Sequence, residues 1–267
     1  MILPASYLNG FAPRDGQPLY PSLWTGCVGA WNPGLGPSGL VLRDQSGFSR
    51  HGTLTNGPTF AADQGRYAMN FDGTDDYVAA GTMATNLSGS FMFSAWINPT
   101  STEIKAAVVS EVSSYSNYWA FLGPDGTGNF QFALYDGTNN PRATSAYSTG
   151  WKHFAGVRNT SADTVELWVN GKLVSSIADT TTSVPVYAAL NIGRQITVNR
   201  AFAGLIDDAR IYNRALSPNE IRTLATRRGI AYEMAPRRRS SVQVTVAPLR
   251  YNLFSGSIGN TDVIGAS

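Results

Sequence analysis

Short runs in which apolar and polar residues alternate recur through the middle of the chain, and they commit it to a β-rich fold. Phe91, Phe93, Ala95 and Ile97 share one face of such a run, with Met92, Ser94, Trp96 and Asn98 on the other. Phe130, Phe132 and Leu134 alternate with Gln131, Ala133 and Tyr135, and Val165, Leu167 and Val169 with Glu166, Trp168 and Asn170. A period of two sends successive side chains to opposite faces of a strand, so each run has one side to bury. Turn signals separate the runs. Asn170 and Gly171 predict a two-residue type I′ hairpin, which needs positive φ at both positions. Asp72-Gly73, Asp125-Gly126 and Asp136-Gly137 predict further turns. Many strands at this spacing predict an all-β sandwich or jelly roll.

One helix is signalled. Ser217 to Glu220 reads as a capping box with Pro218 at the first helical position. Ile221, Leu224 and Ala225 form its apolar stripe, and Gly229 is the expected left-handed stop. The helix is short and is expected to seal one end of the sandwich. Residues 1–25 hold Pro4, Pro13, Pro18 and Pro21 with aromatics between them, which predicts an extended arm. Residues 26–228 are expected to form the sandwich, and 229–267 a basic linker followed by a strand and tail. Val242, Val244 and Val246 alternate within that last segment.

At 267 residues the chain can bury a sizeable core without disulfides. Cys27 is the single cysteine and sits in an apolar run, so a buried small hydrophobe is expected rather than a reactive thiol. Residues 1–219 carry 13 Arg and Lys against 15 Asp and Glu, whereas residues 220–267 carry 7 Arg against 3 acids. The body is therefore not a polyanion surface. Arg237, Arg238 and Arg239 lack a groove-entering element or stacking platform, so no nucleic-acid partner is expected. The N-terminus has neither a basic segment nor a long apolar one, which argues against a Sec signal peptide. No window is long and apolar enough for membrane insertion.

Asp207 and Asp208 lie in the middle of a strand-like segment and invite a catalytic reading. A retaining glycosidase needs two carboxyls about 5–5.5 Å apart on one side of the bond. Consecutive residues of an unbulged strand diverge, so this pair is not expected to act as a dyad. His51 and His153 have no nucleophile motif beside them, and both are expected to be structural. Asp75 and Asp76 could hold a cation, but their Gly-bearing surroundings fit a turn better.

Several segments resemble LamG-like modules, the laminin G-type branch of the concanavalin A-like jelly rolls. Residues 42–56 (LRDQSGFSRHGTLTN) are similar to their opening motif, 69–78 (MNFDGTDDYV) to the next strand pair, and 93–97 (FSAWI) to a central strand. Residues 151–157 (WKHFAGV) and 165–173 (VELWVNGKL) resemble a later strand and its hairpin, and 202–220 the closing strand and helix. The resemblance covers about residues 26–228 and implies the fold more strongly than any activity. It implies a structural Ca2+ joining the Asp44 loop to the closing strand, with Asp44, the carbonyl region of His51 and Gly52, and Asp207 as matching positions and Asp208 as an alternate; Ser46 offers a further oxygen in that loop. The bland reading is an Asx turn at Asp44 and a solvent-facing β-bulge at Asp207 and Asp208.

A glycan site needs aromatics beside amide and carboxylate groups. Tyr115, Asn117, Trp119, Tyr135, Asp136 and Asn139 have that composition, with Arg194 in a loop expected nearby. The competing reading of Trp119, Trp151 and Trp168 is ordinary sandwich packing. A body flanked by two arms is also similar to virion-associated proteins of tailed bacteriophages. The expectation is a non-catalytic module on a virion surface. Its arms would contact other protein subunits of a larger assembly, in which the chain could be a homo-oligomer. The alternative is a Ca2+-dependent, lectin-like protein or adhesin that binds cell-surface glycan.

Overall fold

The computed structural model describes residues 18–82, 89–101, 106–111, 119–182, 189–196 and 198–234. They lie in one compact unit, Met1–Ala235; Pro236–Ser267 form a second unit that lies outside the described residues. So do the segment 1–17 and the alternating valines Val242, Val244 and Val246.

Two antiparallel sheets dominate. The first has the spatial order β14 (Lys172–Ala178), β13 (Thr164–Val169), β12 (Lys152–Asn159), β7 (Phe91–Pro99), β18 (Ala203–Tyr212), β5 (Arg66–Asp72) and β4 (Thr59–Asp63). β1 (Cys27–Trp31) also pairs with β18. The second runs β11 (Arg142–Ala146), β10 (Asn129–Tyr135), β9 (Trp119–Pro124), β8 (Val108–Glu111), β15 (Ala189–Ile192), β6 (Tyr77–Thr82), β3 (Gly52–Thr55) and β2 (Val41–Leu42). A small hairpin joins β16 (Arg194–Gln195) to β17 (Arg200–Ala201).

The alternating runs fill the space between the sheets. Phe91, Phe93, Ala95, Phe130, Phe132, Leu134, Val165 and Leu167 are all buried there. Phe130 of β10 stacks on Phe154 of β12 at 3.6 Å, with ring planes 14° apart. Asn170 and Gly171 have φ of 48° and 75°, as the type I′ turn requires.

The first sheet is buried on its outer face as well. A turn at Pro21–Trp24, the helix α1 (Pro218–Leu224) and a turn at Ile230–Tyr232 pack there. Leu23, Trp24, Met92, Val157, Trp168, Tyr212, Ile221 and Leu224 form this second core. The capping box at Ser217 and Glu220 is present. The helix ends at Leu224, earlier than the Gly229 stop expected from sequence. Gly229 (φ 74°) instead opens the Ile230–Tyr232 turn. The body also extends past both expected boundaries. Leu19 N–H donates to Glu233 O at 2.7 Å, and Trp24 Nε1 donates to Ala231 O at 3.0 Å. Residues 18–25 and 229–234 are thus part of the packed unit. Cys27 is buried, and burial pushes its thiol up to about 11, which suits a packing role.

Candidate functional site

The outer face of the second sheet carries an aromatic pair. β9 and β10 place Trp119 opposite Tyr135, and alternation points Ala120, Leu122, Phe132 and Leu134 inward and these two outward. Their ring centroids are 5.6 Å apart with planes tilted by 36°, and both side chains are half-buried. Phe121 meets Trp119 edge-on at 6.2 Å and is itself buried against Ala106. The Tyr135 hydroxyl donates to Gly137 O at 3.1 Å, which fixes the phenol. Arg142 and Thr144 of β11 lie on the same face and are exposed; Arg142 Nε donates to Asn140 Oδ1. Arg142 also stands near Arg200, whose pKa falls through burial and then through the Arg142 charge. Arg142 escaped the sequence reading, although the alternation around the buried Ala143 would have put it outward.

Asp136 has a different job from the one expected. Its carboxylate accepts from the backbone N–H of Thr138, Asn139 and Thr182 and from the side chains of Asn139 and Thr182, at 2.6–3.2 Å. Burial opposes the charge, but these donors hold the carboxyl well below the usual range. Asp136 and Asn139 therefore build the loop that flanks Tyr135. Arg194 is not part of this group. Ala189 is level with Glu111, and Glu111 with Trp119, which leaves Arg194 five residues further along the chain. It bonds Asn199 Oδ1 at 2.8 Å and Asp75 O at 3.1 Å, and lies over the Tyr77 ring. Tyr115 and Asn117 lie outside the described residues.

The residues expected to hold Ca2+ do not fit it as arranged. Asp44 accepts from Ala30 N, Ser46 N, Ser46 Oγ and Arg50 N at 2.8–3.0 Å. Four donors take up the roughly four lone-pair sites that a carboxylate has. His51 Nδ1 accepts from Asp44 N at 3.1 Å, which ties the loop further. Asp207 faces two guanidiniums, Arg66 at 3.3 Å and Arg228 at 3.8 Å. A divalent cation would have to displace these donors and sit beside two positive charges. Asp72, Asp75 and Asp76 bring carboxylate oxygens within 4.8 Å of one another. There Asp72 accepts from Thr74 N, and Asp76 from Asp72 N, as a turn requires.

Asp207 and Asp208 sit on a bulge, and it is buried. Asp207 pairs with Trp96 and Arg210 with Ser94, so β18 holds one extra residue there, and Asp208 has φ 49°. The extra residue breaks the alternation. Ile206, Ala209 and Ile211 point into the main core, while both carboxylates face the outer side of the first sheet. The divergence expected of an unbulged strand is therefore absent, and so is the solvent exposure expected of a surface bulge. Asp207 is sealed from solvent with its Oδ1 unpartnered, and its Oδ2 faces Arg66 and Arg228. Asp208 accepts from Arg210 Nε at 2.8 Å and from Gly229 N at 3.1 Å. The Arg210 guanidinium lies between Trp24 and Tyr232, 4.8 and 4.6 Å from their centroids. Burial and the Asp208 charge raise Asp207 to about 6, against the pull of Arg66 and Arg228.

The comparisons agree with this architecture. The family described as the concanavalin A-like lectin/glucanases superfamily matches residues 72–222. No curated protein matches the chain. Among solved structures, the chain is similar to domain 4 of AbnA, a GH43 extracellular arabinanase from Geobacillus stearothermophilus, in complex with arabinotriose. The TM-score is 0.60 at 20% identity, covering 74% of this chain and 98% of that one. It is also similar to the binding domain of botulinum neurotoxin serotype D, with TM-score 0.59 at 15% identity, covering 76% of this chain and 51% of that one. The botulinum neurotoxin DC binding domain, in complex with rat synaptotagmin II, gives TM-score 0.58 at 15% identity, covering 76% and 52%. The chain thus spans about half the length of the neurotoxin domains. With two packed antiparallel sheets and a family match over more than half its length, the chain belongs to the concanavalin A-like lectin/glucanase superfamily.

Proposed function

We propose that the protein is a non-catalytic carbohydrate-binding module whose sugar platform is the Trp119–Tyr135 pair. The observation that carries this reading is the half-buried cross-strand pair on the outer sheet face, with Asn140 and exposed Arg142 beside it. A tilted aromatic surface covers a sugar ring, and the amide and guanidinium read its hydroxyls. The non-catalytic part rests on the adjacent carboxylate, Asp136, whose oxygens are engaged by loop donors. Glycoside hydrolysis needs two free carboxyls. The fold is shared with an arabinanase domain solved with arabinotriose, which supports the class of ligand without identifying it. A glycan array followed by calorimetry on the best binder tests the reading. Trp119→Ala and Tyr135→Ala should each weaken binding by about tenfold or more, since an aromatic pair contributes beyond its area. Absence of any glycan binding, or wild-type affinity in both variants, would sink it.

A second part of the proposal concerns the ends of the chain. The Pro-bearing segment 1–17 and the alternating valines of 242–246 lie beyond the family match. They suit anchoring to other subunits of a larger assembly, such as a phage particle, by strand addition or groove packing. Removing residues 1–17 and 236–267 should abolish co-sedimentation with that particle while leaving the sandwich folded. Unchanged co-sedimentation would refute the anchoring role. Among the described residues no helix is long and apolar enough to cross a membrane.

A further inference from the structure

A cleft of about 400 Å3 opens on the outer side of the first sheet, the opposite sheet from the Trp119–Tyr135 pair. The turn between β4 and β5 supplies Gln64, the first residue of β5 is Arg66, β7 supplies Trp96, Trp151 enters just before β12, and Arg227 and Arg228 follow the helix. Its size falls in the range of small-molecule sites.

Both indoles are held rigidly. Trp96 Nε1 donates to Leu224 O at 3.2 Å, and Trp151 Nε1 donates to Asp63 Oδ2 at 2.8 Å. An indole has one polar atom, so each ring has only carbon surface left for the cleft. Both rings are half-buried rather than sealed. The Arg228 guanidinium lies 4.2 Å from the Trp151 centroid and is held from behind by Asp63 at 3.0 Å. Arg66 is anchored by Asp207 and by Asn32 Oδ1 at 3.0 Å, yet its side chain is 30% exposed. Arg227 pairs with Glu233 at the rim and is 66% exposed.

The groups that reach the open space are thus aromatic carbon and guanidinium N–H donors, together with the exposed Gln64 and Thr226 side chains. Asp207 is fully buried behind the arginines, so its charge orients them without facing a ligand. A guanidinium edge matches a carboxylate in two parallel hydrogen bonds, and an indole face matches the C–H face of a sugar ring. Asp63, Asp207 and Glu233 offset the arginine charge, so selectivity comes from hydrogen-bond direction at short range rather than from long-range attraction. We propose that this cleft binds an acidic saccharide, a sugar ring bearing a carboxylate, with the ring against Trp96 and Trp151 and the carboxylate facing Arg66 and Arg227. Nothing in this inference depends on the Trp119–Tyr135 platform.

The test is calorimetry of the full chain with glucuronate and sialate oligosaccharides, each against its neutral, carboxyl-reduced counterpart. At least one acidic sugar should bind about tenfold or more tightly than its neutral form, with a change in tryptophan fluorescence. Arg227→Glu, at an exposed position where folding is not at stake, should weaken that binding about tenfold or more. Trp119→Ala should leave it unchanged, which separates this site from the platform. A thermal melt of Arg227→Glu confirms that the fold is intact. The proposal is overturned by any of three results: no acidic sugar binds, the neutral forms bind equally well, or Arg227→Glu binds like the parent.

Discussion

Arg210 and Asp208 form an ion pair that is sealed from water, with Arg210 sandwiched between two aromatic rings. Such a pair gains little over an apolar replacement, but breaking it strands a charge. Asp208→Ala should therefore cost about 3–5 kcal/mol in urea unfolding, and Asp208→Ala with Arg210→Met together less than the sum of the two. Additivity would mean that the pair is not coupled. Two neighbours of this region titrate in opposite senses. Burial and Asp208 raise Asp207 to about 6 from 3.8, and burial lowers His153 to about 4 from 6.5; both residues pair with Trp96 in register. A raised acid stabilises fully at low pH, and that stability is lost as pH rises through about 6. A depressed histidine is folded neutral, so stability is full above 6.5 and is lost as pH falls toward 4. Between about 4 and 6 the two slopes oppose each other. Removing one should expose the other: in His153→Gln, the unfolding midpoint should fall as pH rises from 4 to 6. A midpoint that rises over that window would contradict the assignment for Asp207.

At the scale of elements, alternation carried most of the information. The faces read for the Phe91–Ile97, Phe130–Leu134 and Val165–Val169 runs are the faces that meet in the core. The Asn170–Gly171 turn and the Ser217 capping box are local motifs whose hydrogen bonds close within a few residues, which is why they were legible. The helix stop was not. Gly229 has the conformation expected of a stop, but the chain leaves the helix at Leu224 and returns to pack Ala231 into the second core, with Tyr232 partly buried against it. Strand interiors also show why one glycine matters. A Cβ on Gly156 of β12 would lie 2.1 Å from the Phe132 ring. Gly156→Ala should thus overpack the core and cost about 1–3 kcal/mol, read as a lower denaturant midpoint with an unchanged slope. A neutral effect would mean that Phe132 can turn aside within the sandwich.

For the whole molecule, the second core is what distinguishes this sandwich from a bare pair of sheets. Residues 18–25 and 216–234 cover the outer face of the first sheet, bury Arg210 and leave the Trp96–Trp151 cleft at their margin. The loop at Asp44 and the bulge at Asp207 close with protein donors, so millimolar EDTA or Ca2+ should leave the thermal midpoint unmoved. A rise with Ca2+ that disappears in Asp44→Asn would restore a cation to that loop. The sequence by itself determined the strand pattern, the inward faces, the hairpin turn, the helix start and the membership of a jelly-roll family. All of these are encoded in residues within a few positions of one another. Only the tertiary structure decided the fate of the charged residues. One extra residue in β18 put Asp207 and Asp208 on the same face. Arg66 and Arg228, distant in the chain, then arrived to neutralise Asp207, and the Asp136 carboxylate was spent on Thr182. A carboxylate's role depends on which donors surround it, and those donors come from segments that meet only when both sheets are packed.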